Sequence, residues 1–371
     1  MIKLPRSVIN SLFRERAGST GTLIHYSTIL WLSLAKLFVH LFVNLTGGYG
    51  FFRDEFYYLA CSERLDWGYV DHPPLSILFL RVSRAVFGDS LFAIRLLPAL
   101  AGAITVLVAG LMVKKMGGGR FAQAFTCLSL IVAPAVLALN NFYSMNSFDL
   151  LFWTLAAYVI VLIVNGGDGR LWLWLGLIFG LGFMNKISML WFIFGFAIGL
   201  PLTALRKSLS CKGPWLMGLI AFFCALPNLV WQMAHDWPTL EFIKNATAQK
   251  MVSVSPGDFL LSQIMNMHPA TFPIWIGGLV YYLFVKTGKK YRILGIIFVV
   301  VFFVLVVNQK SRPGYLVPAY SLLFAGGSVF MEKIADRFEL KRIKTIAVAG
   351  LFAAGVLTAP LVLPILPVEK Y

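Results

Sequence analysis

The sequence predicts an all-α polytopic membrane protein, a single bundle of about eleven transmembrane helices, and three observations carry that prediction. Hydrophobic residues make up 59% of the chain and charged residues only 13%, against about 25% charged in ordinary soluble domains. The apolar residues come in runs of about 20, the length at which a helix crosses a hydrocarbon core. Lys and Arg gather in alternate gaps between those runs, as they do in cytoplasmic loops. The net charge of +16 is thereby explained without a nucleic-acid partner, and none is expected.

The apolar runs have approximate limits of 22 to 46, 91 to 113, 120 to 139, 147 to 164, 171 to 185, 187 to 205, 214 to 234, 271 to 285, 292 to 308, 315 to 331 and 345 to 366. The stretch from Leu171 to Leu205 is too long for one crossing, and Asn185-Lys186 divides it into a helical hairpin. The first 20 residues carry Lys3, Arg6, Arg14 and Arg16 ahead of an apolar run too long for a signal-peptide core, which reads as an uncleaved signal anchor.

With the N-terminus inside, the inner gaps hold Lys114, Lys115, Arg120, Arg170, Arg206, Lys207, Lys212, Lys286, Lys289, Lys290, Arg292, Lys333, Arg337, Lys341, Arg342 and Lys344. Acidic residues there are few, whereas Asp54, Glu55, Glu63, Asp66, Asp71 and Asp89 crowd the first outer gap. The expected setting is a bacterial inner membrane, with the C-terminus outside. Cys61, Cys127, Cys211 and Cys224 show no CxxC spacing and indicate neither a disulfide framework nor a zinc knuckle.

One transmembrane domain is expected over 1–371, with two long outer segments. The first, about 47 to 90, places Leu75, Leu78, Phe79 and Val82 on one helical face opposite Ser76, Arg81, Ser83 and Arg84, a pattern for a helix lying at the interface. The second, about 235 to 270, breaks at Pro256-Gly257 and then sets Leu260, Ile264 and Met267 on one face, as a flap would.

The first outer segment also carries the chemistry. Asp54 and Glu55 directly follow a spanning helix, where a carboxylate pair is costly and adds nothing to anchoring. Asp71 and His72 precede the stiff Pro73-Pro74, and Asp149 lies inside an apolar run. Cations on the same side are dispersed: Arg95 opens the second span, Lys186 sits at the hairpin tip, and Lys310 and Arg312 stand in a short outer loop against the charge bias.

In order and in side of the membrane, these motifs resemble a known family. F-x-D-E-x-x-Y at Phe52 to Tyr58, G-Y-x-x-H-P-P-L at Gly68 to Leu75, and an Arg-Leu pair at Arg95-Leu96 look like the GT-C glycosyltransferases of the protein O-mannosyltransferase and lipid A aminoarabinose transferase type. The likeness is strongest over about 50 to 200 and continues through Asp149, Lys186 and the segment from Lys310 to Pro318, which resembles the family's K-x-x-Y-x-x-P motif and contains Tyr315. It implies a GT-C fold and transfer of a sugar from a polyprenyl-phosphate donor to a lipid, glycan or protein hydroxyl, with inversion. Asp54 would be the catalytic base with Glu55 beside it. Asp71, His72, Arg95, Asp149, Lys186, Lys310, Arg312 and Tyr315 would bind substrate.

His72 stands where aminoarabinose-transferase relatives tend to carry a lysine. No cofactor is required by this chemistry, although Asp71, His235 and His268 imitate a metal set the relatives are thought to use. Blander readings stand beside these: Asp54 and Glu55 as helix-capping acids, and Asp149 as half of an ion pair with Lys36 or Arg95. A transporter or flippase of a lipid-linked sugar is the alternative function, although no internal repeat supports it. A non-enzymatic protein that binds such sugars is a further rival.

Overall fold

The computed structural model describes residues 21–46 and 49–366, with side chains from Tyr26 onward. The signal-anchor reading of the first twenty residues lies outside the described residues.

The chain is helical, with no strand among the described residues. α1 (Gly21–Thr46) is followed by two short helices, α2 (Arg53–Ser62) and α3 (Leu75–Phe87), in the first long connection. Next come α4 (Leu91–Lys115), α5 (Arg120–Val132), α6 (Pro134–Leu139), α7 (Met145–Val164), α8 (Leu171–Asn185), α9 (Met189–Leu202) and α10 (Lys212–Ala234). The second long connection holds α11 (Pro238–Gln249) and α12 (Pro256–Met267). α13 (Phe272–Leu283), α14 (Arg292–Val307), α15 (Tyr320–Arg337) and α16 (Lys341–Thr358) complete the bundle.

Seven helical stretches of the described residues are long and apolar enough to cross a membrane: Tyr26–Thr46, Leu91–Lys115, Met145–Val164, Lys212–Ala234, Lys289–Val307, Pro313–Arg337 and Lys341–Leu361. The chain is an integral membrane protein. A helix underlies each of the eleven apolar runs, but α5, α8, α9 and α13 have only 13, 15, 14 and 12 residues. Length and composition therefore establish seven spans, or eight if α9 and the 3-10 turn Ala204–Ser210 form one bent span.

The breaks have local causes. The run read as 120 to 139 is interrupted at Ala133, which is extended (ψ 117°) because Pro134 crowds the residue before it. α8 stops at Asn185 and Lys186 is extended, so the chain breaks at Asn185-Lys186, but α8 packs mainly on α10 and α9 mainly on α14 rather than on each other as a hairpin would. The run from 187 to 205 instead ends at Leu202, just past Pro201, and the chain turns by 93°.

Close helix approach depends on glycine at the tightest crossing. A Cβ on Gly327 of α15 would strike the Ile274 carbonyl of α13, and one on Gly278 would strike that of Leu323. Small residues at such crossings let helix backbones touch without a side chain between them. Trp153, Phe192, Tyr282 and Tyr320 fill the core around these contacts.

Cross-connections sort the loops into two ends. At one end Glu55 bonds Tyr143, Lys186 bonds Asn146, Asn228 bonds Trp67, and Gln263 bonds Pro313. At the other, Glu332 accepts from the Gly119 and Ala122 amides, and Asn165 joins Lys115 to Tyr291. The predicted acidic loops thus share one end and the predicted basic loops the other.

Two amphipathic faces are corrected. In α3 the inward residues are Ser76, Ile77, Leu80 and Ser83, whereas Leu78 and Val82 are exposed. Hydrocarbon is the solvent for such a helix, so its most apolar stripe can turn outward while the serines pack inside. The Ser83 hydroxyl accordingly donates to the Ala93 carbonyl at 3.2 Å. In α12 the buried stripe is Phe259, Gln263 and Met267, because the Gln263 amide bonds the Pro313 and Phe259 carbonyls, and Leu260 is exposed.

Candidate functional site

α2 starts the site. Its first turn contains both members of the acidic pair, and the fold treats them differently. Glu55 is fully buried and accepts four hydrogen bonds: from Arg95 Nε (2.9 Å) and Nη2 (2.7 Å), the Tyr143 amide (2.8 Å) and the Phe52 amide (2.8 Å). The last is the return half of a capping box, so the capping reading holds for Glu55. Asp54, one residue earlier, is half-buried and meets Arg53 at 3.1 Å, with the arginine side chain 87% exposed. Such an ion pair holds its carboxylate only weakly.

Arg95 is consequently committed to Glu55 and to the Gly50 carbonyl (3.0 Å) and sits 5% exposed. It braces α4 against the start of α2.

Asp71 and His72 lie beside the other face of α2. The Tyr57 hydroxyl donates to Asp71 at 2.6 Å, and burial together with the Asp71 charge raises the phenol's pKa, keeping it a donor. The His72 ring is buried, stacked parallel to Tyr58 at 5.1 Å with Tyr57 and Tyr69 at its edges. Its Nδ1 lies 2.9 Å from the Pro73 carbonyl, which makes Nδ1 the protonated nitrogen. Nε2 then offers a lone pair 3.8 Å from Asp71. Burial lowers the His72 pKa, with Asp71 opposing the shift, so the ring is neutral and does not replace a lysine's charge.

A second cluster forms where α7 begins and α8 ends. Lys186 Nζ donates to Asn146 Oδ1 (2.8 Å) and Asp149 Oδ2 (3.2 Å), and the Ser188 hydroxyl reaches Asp149 at 2.8 to 2.9 Å. Asp149 therefore pairs with Lys186; Arg95 is taken by Glu55, and Lys36 Nζ has no hydrogen-bond partner among the described residues. Tyr315 joins the cluster, its ring 5.6 Å from Lys186 Nζ and 5.8 Å from Trp191. The backbone from Tyr143 to Asp149 connects both clusters: the Tyr143 amide bonds Glu55, the Met145 amide bonds Tyr58, and the Met145 carbonyl bonds Asn185.

Lys310 and Arg312 precede Tyr315 in the same loop, and the Tyr315 amide donates to the Arg312 carbonyl at 3.0 Å. Lys310 Nζ donates to the Thr247 carbonyl at 3.1 Å, tying the loop to the end of α11, and Arg312 is exposed. His235 is exposed and stacks on Trp231, whereas His268 is buried with Nδ1 accepting from the Ala270 amide. No group of three or more His, Cys, Asp or Glu among the described residues could hold a metal ion, so Asp71, His235 and His268 are not assembled.

Tyr57, Asn146 and Ser188 were not picked out as site residues by sequence reasoning. Tyr57 had a signal, since it lies three residues after Asp54 on one helical face. Beside these clusters an apolar groove of about 570 Å³ opens between α3, α8 and α10, walled by Trp67, Leu75, Leu78, Leu181, Met184 and Pro227. Met184 is two residues from Lys186, and Leu75 follows the Asp71 to Pro74 turn.

This geometry meets known proteins at several points. Residues 71–231 match the family model of dolichyl-phosphate-mannose-protein mannosyltransferase. A lipid A galacturonosyltransferase of Rhizobium johnstonii is 29% identical over 191 residues, covering 51% of this chain and 40% of that protein. An undecaprenyl phosphate-α-4-amino-4-deoxy-L-arabinose arabinosyl transferase of Pseudomonas fluorescens is 26% identical over 243 residues, covering 60% and 41%. The chain thus spans about two-fifths of the length of these curated relatives.

Among solved structures, ArnT of Cupriavidus metallidurans bound to undecaprenyl phosphate superposes with a TM-score of 0.69 at 19% identity, covering 93% of this chain and 66% of that one. The Archaeoglobus fulgidus oligosaccharyltransferase gives 0.61 at 13%, covering 92% and 54%. The chain has the GT-C fold, and the stretch that matches the mannosyltransferase family model, 71–231, overlaps the segment whose loop motifs resemble GT-C glycosyltransferases.

Proposed function

We propose that this chain is a membrane glycosyltransferase that takes a sugar from a polyprenyl-phosphate donor and passes it to a hydroxyl on a lipid, glycan or protein at the outer face, with Asp54 as the base. The observation that carries the assignment is the division of labour in α2: Glu55 has its oxygens bonded by the protein, whereas Asp54 keeps accessible ones.

In the reaction the acceptor oxygen forms a bond to the anomeric carbon while the bond from that carbon to the phosphate oxygen breaks, inverting the centre. The acceptor proton passes to Asp54, and polyprenyl phosphate leaves with the electron pair. Lys186, held by Asn146 and Asp149 beside Tyr315, receives the phosphate charge. The apolar groove ending near Met184 takes the prenyl chain from the side. Glu55 and Arg95 position α2, and Asp71, through Tyr57, fixes the turn beyond it. Lys310 and Arg312 act as outer cations that meet an anionic substrate as it enters. The names of the relatives support this reading, since they are transferases that act on lipid A or use an undecaprenyl-phosphate sugar.

The test is transfer of label from radioactive undecaprenyl-phosphate sugars to a membrane-lipid extract by the purified chain in liposomes. Label appearing in an acceptor fraction supports the proposal. Donor binding with no transfer from any sugar favours a carrier.

A further inference from the structure

A second groove lies at the opposite end of the bundle, away from every residue of the proposed reaction. It encloses about 550 Å³ between α1, α5 and α16, and its walls include Leu32, Phe121, Leu128, Val348 and Phe352, with Lys344 at its mouth. Lys344, Val348 and Phe352 recur every four residues and so form one stripe along α16, rising about 12 Å from first to last. Phe352 is 58% exposed, so the groove opens sideways onto the surface that faces hydrocarbon.

The stripe is apolar except at its mouth. Lys344 Nζ sits 5.4 Å from the Phe121 ring and donates to Asp336 at 2.6 Å. An ammonium has three N–H bonds, so Asp336 leaves donors for a second acceptor. Lys341 and Arg342, in the first turn of the same helix, are exposed beside it. A hydrocarbon-lined slot topped by cations at a helix end matches an amphiphile with one chain in the slot and a negative group above it. We infer that this groove binds a membrane phospholipid with an anionic headgroup, one acyl chain lying along α16 and the phosphate at Lys344.

The experiment uses the full chain, stripped of lipid in detergent and titrated with phosphatidylglycerol or phosphatidylethanolamine, with retained lipid counted by native mass spectrometry. Wild type is expected to keep one phosphatidylglycerol at concentrations where phosphatidylethanolamine is lost. Lys344→Gln should weaken retention about fivefold, the effect of one basic residue near a lipid headgroup. Ala349→Trp, at an exposed position on the groove wall, should abolish it by filling the slot. Equal retention of both lipids by wild type, or undiminished phosphatidylglycerol binding by Ala349→Trp, overturns the assignment. Donor binding at the other end reports separately on the transferase proposal.

Discussion

Arg95 grips Glu55 through two hydrogen bonds, 2.9 Å to Oε1 and 2.7 Å to Oε2, joining residues 40 apart in sequence. The pair ties the start of α2 to α4, and with it sets the place of Asp54. Because both side chains are buried, removing one leaves an uncompensated charge. Glu55→Gln or Arg95→Met should each cost about 3 to 5 kcal/mol of stability. The double variant should cost less than the sum of the two, as measured by reversible unfolding in mixed micelles.

Lys186→Met should weaken donor binding about tenfold to a hundredfold, the range expected for loss of a charged hydrogen bond to phosphate. Asp149→Asn should weaken it less, because Asn146 still holds the ammonium at 2.8 Å. Isothermal titration with an undecaprenyl-phosphate sugar measures both, and equal losses would contradict this ranking.

The His72 imidazole titrates against burial. Its folded pKa is lowered below the ordinary value, so the unfolded chain binds more protons between the two. The stability it contributes is complete above about pH 6.5 and is lost as pH falls toward the lowered folded value. Melting temperatures between pH 5 and 8 should therefore decline on the acid side in wild type and decline less in His72→Gln.

A polar stripe on α1 gives a stability prediction of its own. Lys36, His40 and Asn44 follow one another at four-residue spacing; Lys36 Nζ and the Asn44 side chain have no hydrogen-bond partner among the described residues, and His40 lies against Lys36 and Asn141. A lone lysine buried inside a membrane bundle costs about 2.5 to 3.5 kcal/mol. Lys36→Met should therefore raise the midpoint of unfolding, and a lowered midpoint would show that the ammonium is bonded in the native protein.

What the sequence made legible follows from which forces act locally. Span positions depend on runs of apolar residues, and the break at Asn185-Lys186 is local too; both appear in α8 and α9. The break at Pro134 also has a local cause, in the restriction a proline places on the residue before it, although the unbroken apolar run from 120 to 139 conceals it. Faces were harder, since in α3 an apolar stripe can meet either core or lipid, and only the packed partners decide. Partners across the chain were harder still. Asp149 stands 37 residues from Lys186, and nothing in composition favoured that lysine over Lys36 or Arg95. The acidic pair is visible in the sequence, but the division between Asp54 and Glu55 depends on Arg95 and Tyr143 being in place.

The most direct test compares Asp54→Asn with wild type under single-turnover conditions, measuring donor affinity and transfer rate separately. A general base contributes about a hundredfold to ten-thousandfold, so the rate should fall by that amount while donor affinity and melting temperature stay unchanged. Transfer by Asp54→Asn within about threefold of wild type would contradict the claim that this carboxylate takes the acceptor's proton.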